Sequence, residues 1–245
     1  MPEIRSEILI GCSGFNYEGW KGNFYPFGLT QKKWLEYYCT FFNTVELNVT
    51  FYRLPLPGTF DKWSAETPDD FAFSLKGSRF ITHIKRLLEP KEPLELFFER
   101  ATRLKEKLKT VLWQFSPGFK IDLERLESFV MLLGNYPVRN ALEFRHKSWL
   151  TDDVIKLCKG YKVGLCMADW PEFIDDLPVT SDFVYMRRHG IGGDYASCYS
   201  EAELKKDARR IKGFAKKGYD VFIYFNNDAH GHAPRNAREL KGMLK

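Results

Sequence analysis

Seven apolar runs in this chain, rich in β-branched and aromatic residues, end on a charged or amide residue: Val45-Glu46-Leu47-Asn48, Phe73-Ser74-Leu75-Lys76, Leu112-Trp113-Gln114, Leu142-Glu143-Phe144-Arg145, Met167-Ala168-Asp169, Tyr185-Met186-Arg187 and Tyr224-Phe225-Asn226. A short, near-continuous apolar run is how a strand reads when both faces are covered, as in a parallel sheet. At several ends the side chains alternate with period two. Glu46 and Asn48 then share one face and Val45 and Leu47 the other, and Glu143 and Arg145 are set against Leu142 and Phe144 in the same way. Strands whose outer face meets helices and whose inner face turns polar near the top describe a parallel barrel.

The spacing predicts strands over residues 8–12, 44–48, 72–76, 110–114, 140–144, 163–169, 183–187 and 220–225, with helices between most of them. Helix starts are marked by Thr30, by Thr151 ahead of Asp152-Asp153, and by Ser200 with Glu203 three residues on, a capping box. Pro57 opens another helix, Pro93 a long charged one to Lys109, Leu123 one that stops at Gly134, and a last one begins near Pro234. Trp170 to Asp182 reads as a loop, and residues 13–29 and 189–199 as long insertions after strands. At 245 residues the chain matches the roughly 250 of one barrel. The expectation is an α/β, TIM-like (β/α)8 barrel forming a single domain over residues 1–245, with a polar ligand site at the C-terminal ends of its strands.

No apolar run approaches the roughly 18 residues of a membrane span, and the acidic start through Glu3 and Glu7 lacks the pattern of a secretory signal. The expected location is the cytoplasm, where the five scattered cysteines would be buried thiols. A net charge of +5 favours acidic partners. Much of it lies in Arg100–Lys109 and Lys205–Arg210, which read as amphipathic helices with basic outer faces.

If the tips meet at one mouth, Glu46, Glu143 and Asp169 oppose Lys76, Arg145 and Arg187. Ionic groups at strand ends of a barrel usually serve a ligand. Glu46, Glu143, Asp169 and His189 are the acid–base candidates. Ser13, Tyr17, Trp20, Asn48, Tyr52, Lys76, Gln114, Arg145, Arg187, Asn226 and Asn227 are the ligand-binding candidates, with Tyr17, Trp20 and Tyr52 stacking. No cofactor is expected. Glu46, Glu143, Asp169 and His189 offer weak support for a divalent metal, because the neighbouring cations compete for the carboxylates, and the His230-Gly231-His232 pair lacks a third ligand.

Taken in order, several stretches resemble the YecE-like family, also called domain of unknown function 72. They are Gly11 to Tyr17 with Trp20 and Phe24-Tyr25-Pro26, Phe42 to Asn48 with Thr50 to Arg53, Phe73 to Lys76 with Thr82-His83, Leu142 to Arg145 with Trp149, Arg187 to Gly190, and Tyr224 to Asp228. The resemblance implies a TIM-like barrel and no particular reaction. Some members have been likened to endonuclease-IV-type barrels, which implies a phosphodiester ligand, although this chain has few histidines at its strand tips. The functional expectation is a barrel that binds a phosphate-bearing small molecule or nucleic acid at its mouth, with no membrane partner, and acts as a hydrolase of a phosphodiester or sugar phosphate. Two alternatives stand beside it: a non-catalytic nucleic-acid-binding module that uses the basic helix faces, and a Schiff-base lyase or isomerase that uses Lys76.

Overall fold

A computed structural model of the chain describes residues 6–244. The described residues form eight parallel strands, β1 (Ile8–Cys12), β2 (Thr44–Leu47), β3 (Ala72–Lys76), β4 (Leu108–Gln114), β5 (Arg139–Glu143), β6 (Gly164–Ala168), β7 (Phe183–Arg188) and β8 (Asp220–Phe225), in the order β1-β8-β7-β6-β5-β4-β3-β2. Helices α1 (Trp34–Cys39), α2 (Val49–Tyr52), α3 (Pro57–Ala65), α4 (Lys91–Ala101), α5 (Leu123–Leu133), α6 (Asp152–Gly160), α7 (Glu201–Lys216) and α8 (His232–Met243) fall between and after them. This is the TIM-like (β/α)8 fold that the alternation of runs predicts. Among the described residues no helix is long and apolar enough to cross a membrane.

The chain divides into two compact units. The first holds the described residues up to Glu46, Met167–Asp176 and those from Asp182 on; the second holds Leu47–Cys166 and Leu177–Ser181. In the first, β8 lies between β1 and β7, with Ile10 opposite Ile223 and Tyr185 opposite Phe222. The seam between β1 and β2 is made differently. The Tyr38 hydroxyl of α1 accepts from Cys12 N and donates to Thr44 O, each at 2.9 Å, so one side-chain group replaces a rung of the ladder. Gly11 makes room for this, since a Cβ there would lie 2.4 Å from Thr44 O. A single bridge, Ser13 to Glu46, follows at the top.

In the second unit β3, β4, β5 and β6 pair in sequence, with Leu112 opposite Ala141 and Leu142 opposite Leu165. Trp113 is fully buried and donates to Asn140 Oδ1 at 2.9 Å, so the indole fills the space behind β4 without losing a hydrogen bond. Two of the three expected caps form: Thr151 accepts from Val154 N, and Ser200 and Glu203 make the reciprocal capping box, whereas Thr30 precedes a short 3-10 turn without a side-chain cap bond.

One expected helix does not form as drawn. The segment from Pro93 to Lys109 was to be continuous, but α4 stops at Ala101, Lys105 takes a left-handed φ of 54°, and Leu108 and Lys109 belong to β4. Three of its basic residues bond to α3 and its flanks. Arg100 donates to the Leu54 and Pro55 carbonyls, Arg103 pairs with Asp61, and Lys107 donates to Ser64 O and Thr67 O. Leu104 and Leu108 carry a helical apolar period through the segment, while the peptide groups serve a turn and then a strand.

Candidate functional sites

Each unit assembles its own set of strand-tip groups. In the first, Glu46 on β2 is inaccessible to solvent and receives four donors: Ser13 Oγ at 2.6 Å, Tyr185 OH at 2.6 Å, and Arg187 Nε and Nη2 at 3.2 and 2.9 Å. A buried carboxylate is tolerated when its charge is paired and its lone pairs are filled, and both hold here. Glu46 therefore fixes Arg187 and Ser13, and it is too well satisfied to act as the general base expected of it.

Arg187 also decides the state of His189. A guanidinium only donates, so the 3.0 Å contact from Nη1 to His189 Nε2 makes that nitrogen an acceptor and leaves the proton on Nδ1. Nδ1 then donates to Asp169 Oδ1 at 3.2 Å, beside the His189 backbone N–H at 2.8 Å. Tyr199 donates to the other Asp169 oxygen and accepts from Gly190 N. Burial pushes the Asp169 carboxyl up, but the bonds from His189 and Tyr199 and the Arg188 charge outweigh it and hold it below the usual carboxylate range. With both ring nitrogens committed, His189 braces Arg187 and is not an idle acid–base group. Arg188 points the other way, to Asp207 on α7, as period two requires.

Trp20 and Asn227 are both buried and held by the fold. Trp20 is fully buried, packed between Tyr17 and Tyr25 at ring distances of 4.9 and 5.9 Å, and donates to Asp228 O at 3.0 Å. It supports the end of β8 and offers no face to a ligand. Asn227 is buried, with its amide nitrogen spent on Ser197 O and Asn236 Oδ1, tying the 189–199 loop to α8. Asn226 is buried beside it, held through its backbone N–H to Arg188 O at 2.7 Å.

Asp228, at the end of the Tyr224 to Asp228 stretch, is the group that stands out. Its Oδ1 is buried with no hydrogen-bond partner, and burial, with Glu46 adding to it against Tyr17 and Arg187, raises the carboxyl to about 7. Tyr17 has one proton for two acceptors, Ser13 O at 2.6 Å and this carboxyl.

In the second unit the tips of β3, β4 and β5 meet around Glu143. It pairs with Arg145 and accepts from Gln114 Nε2 at 3.0 Å, and Glu143, Arg145 and Lys76 are all buried. The Lys76 ammonium sits 4.4 Å over the Phe51 ring, a contact that favours its charged form and disfavours the amine a Schiff base needs. Thr50 Oγ1 donates to Lys76 O at 2.7 Å and fixes α2, with Asn48 at its N-terminus and Tyr52 at its end, against β3.

His83, which carried no assigned role, completes this set. It lies in a single π-turn, Phe80–Ile84, with its ring 4.9 Å edge-on to Phe51. Thr82 Oγ1 bonds Ser78 O at 3.3 Å and His83 Nδ1 at 2.9 Å. The hydroxyl has one proton; given to Ser78 O, it leaves His83 Nδ1–H as donor and Nε2 with its lone pair. Burial, then the charges of Lys76, Arg79 and Arg145 against the single opposing Glu143, lower the ring to about 4. Burial first, and the neighbouring cations after it, keep the ring neutral at pH 7. Among the described residues no three His, Cys, Asp or Glu side chains group to hold a metal ion.

The family model described as "Protein of unknown function DUF72" matches residues 9–245. Of curated relatives, the UPF0759 protein YunF of Bacillus subtilis is 27% identical over 97% of this chain and 94% of its own length, and the UPF0759 protein YecE of Escherichia coli is 32% identical over 41% of this chain and 35% of its own. Among solved structures, a DUF72 family protein from Thermotoga maritima superposes with a TM-score of 0.85 at 32% identity, covering 97% of this chain and 99% of that one. A D-psicose 3-epimerase matches with a TM-score of 0.60 at 9% identity, over 96% and 97% of the two chains, a likeness of fold alone.

Proposed function

The chain belongs to the DUF72 family, and for this member we propose that the tips of β3 and β5 bind a phosphate-bearing anion, with phosphoester hydrolysis as the reaction class. The observation that carries the reading is that two cationic side chains, Lys76 and Arg145, are buried at the tips of β3 and β5, with Arg79 and His83 near them. Cationic side chains gathered at strand tips favour an anionic ligand. Lys76 and Arg145 contact phosphate oxygens in this reading, and Gln114 and Glu143 keep Arg145 aimed. His83, with Nδ1 held by Thr82, takes a proton from an attacking water at Nε2 while the water oxygen bonds phosphorus and the ester oxygen departs.

Basic helix faces are a poorer basis for function here. The first such run is consumed by α3 and its flanks, and on α7 Lys205 pairs with Glu201 and Arg210 with Asp175. Calorimetric titration with inorganic phosphate and a phosphate monoester tests the proposal. Saturable binding with one site, weakened about tenfold by Lys76→Met, is expected. Absence of binding at millimolar ligand would remove the proposal.

A further inference from the structure

Beside the anion cluster, in the same unit, is an aromatic and aliphatic surface that the phosphate reading leaves unused. Tyr52 is 68% exposed at the end of α2, and Phe80 and Ile84 are 42% and 60% exposed on the π-turn. These two short elements are joined by the Phe51–His83 ring contact, and Phe51 is the ring over which Lys76 lies. Tyr52 packs edge-on to Phe51 at 5.0 Å. A single buried ring therefore separates the Lys76 ammonium from the exposed face of Tyr52. The rim carries positive charge, since Arg53 follows Tyr52 and Arg79 precedes Phe80, both exposed.

An exposed tyrosine face one ring away from a buried cation, with arginines beside it, has two jobs to offer one ligand. A flat π-system stacks on the tyrosine while an anionic end is held by the cations. In a nucleotide those two parts are joined through one sugar. We infer that the ligand of this site is a nucleotide, with its phosphate at Lys76 and Arg145 and its base stacked on Tyr52. The inference rests on the anion-binding reading above and goes beyond it by naming the part of the ligand that is not phosphate. A sugar phosphate without a base would leave Tyr52 in water. A protein partner would gain from the apolar side chains but would have to reach Lys76, which is buried, with an acidic residue.

The test compares three probes on the whole protein: inorganic phosphate, ribose 5-phosphate, and adenosine 5′-monophosphate, each titrated against the parent, Tyr52→Phe and Tyr52→Ala. The nucleotide is expected to bind the parent about tenfold or more tighter than ribose 5-phosphate. Tyr52→Phe keeps that preference and Tyr52→Ala erases it, with the affinity for ribose 5-phosphate unchanged in both. Tyr52 is a surface residue, so its substitution leaves the fold intact, and an unchanged melting temperature checks this. Equal affinity of the parent for the nucleotide and ribose 5-phosphate, or a preference that survives Tyr52→Ala, overturns the inference while leaving the phosphate site standing. Failure of all three probes to bind overturns both.

Discussion

At the scale of single residues, the chain spends most of its polar strand tips on each other, and the exceptions are informative. Glu46, Arg187, His189 and Asp169 form a chain of charge-assisted bonds in which the lone pairs and protons that matter are assigned. Breaking such a buried set is costly, because a surviving partner keeps its charge without an answer. Asp228 is different, since its Oδ1 has no donor and its carboxyl titrates near 7. Its folded value lies above the usual one, so the folded state holds a proton that the unfolded chain has already released between about pH 4 and 7. The stability this gives is complete at the acid end and is lost as pH rises through 7. Asp228→Asn, which fixes the neutral form, is therefore expected to unfold with a shallower pH dependence over that interval. At pH 8 it should be more stable than the parent by about 2–4 kcal/mol. Urea melts at pH 5 and pH 8 measure this, and equal slopes for the two proteins would refute the assignment.

At the scale of elements, the seam between β1 and β2 depends on one hydroxyl. Tyr38 OH serves Cys12 N and Thr44 O together, and all three are buried. Tyr38→Phe keeps the ring in its aromatic cluster with Phe24 and Phe42 and deletes only that bridge, leaving a backbone donor and acceptor unanswered. The expected cost is about 1–3 kcal/mol, read from the shift in denaturation midpoint; a cost near zero would mean the strands close on each other without the tyrosine. Neither this seam nor the π-turn could be read in advance. The strands were legible because apolar runs end where burial ends, so β1, β3 and β8 start and stop where the pattern does, and β5 is displaced by one residue. The end of α4 was not, because Leu104 and Leu108 continue a helical period after the backbone has left the helix. For the sites, pairs on one strand such as Glu143 and Arg145 followed from period two. His83 and Asp228 did not, because each is defined by burial and by charges brought from distant parts of the chain.

At the scale of the whole molecule, a net charge of +5 says less than where the charge is left over. Arg103 is matched by Asp61, Arg188 by Asp207 and Arg210 by Asp175, so much of the basic composition is neutralised where it stands. Around His83 stand Lys76, Arg79 and Arg145, of which Lys76 and Arg145 are buried and Arg145 pairs with Glu143. An anion bound at those tips should stabilise the fold, and mass action sets the amount. At one hundred times its dissociation constant, a ligand specific for the folded state adds about 2.7 kcal/mol. For a chain of this size that raises the melting temperature by about 5–10 °C. The shift should be absent in Lys76→Met. High salt should reduce the shift only in part, since screening is weak for buried groups. A Lys76→Met protein that melts well below the parent and still gains the full shift would show that the lysine holds the fold together and takes no share in the ligand.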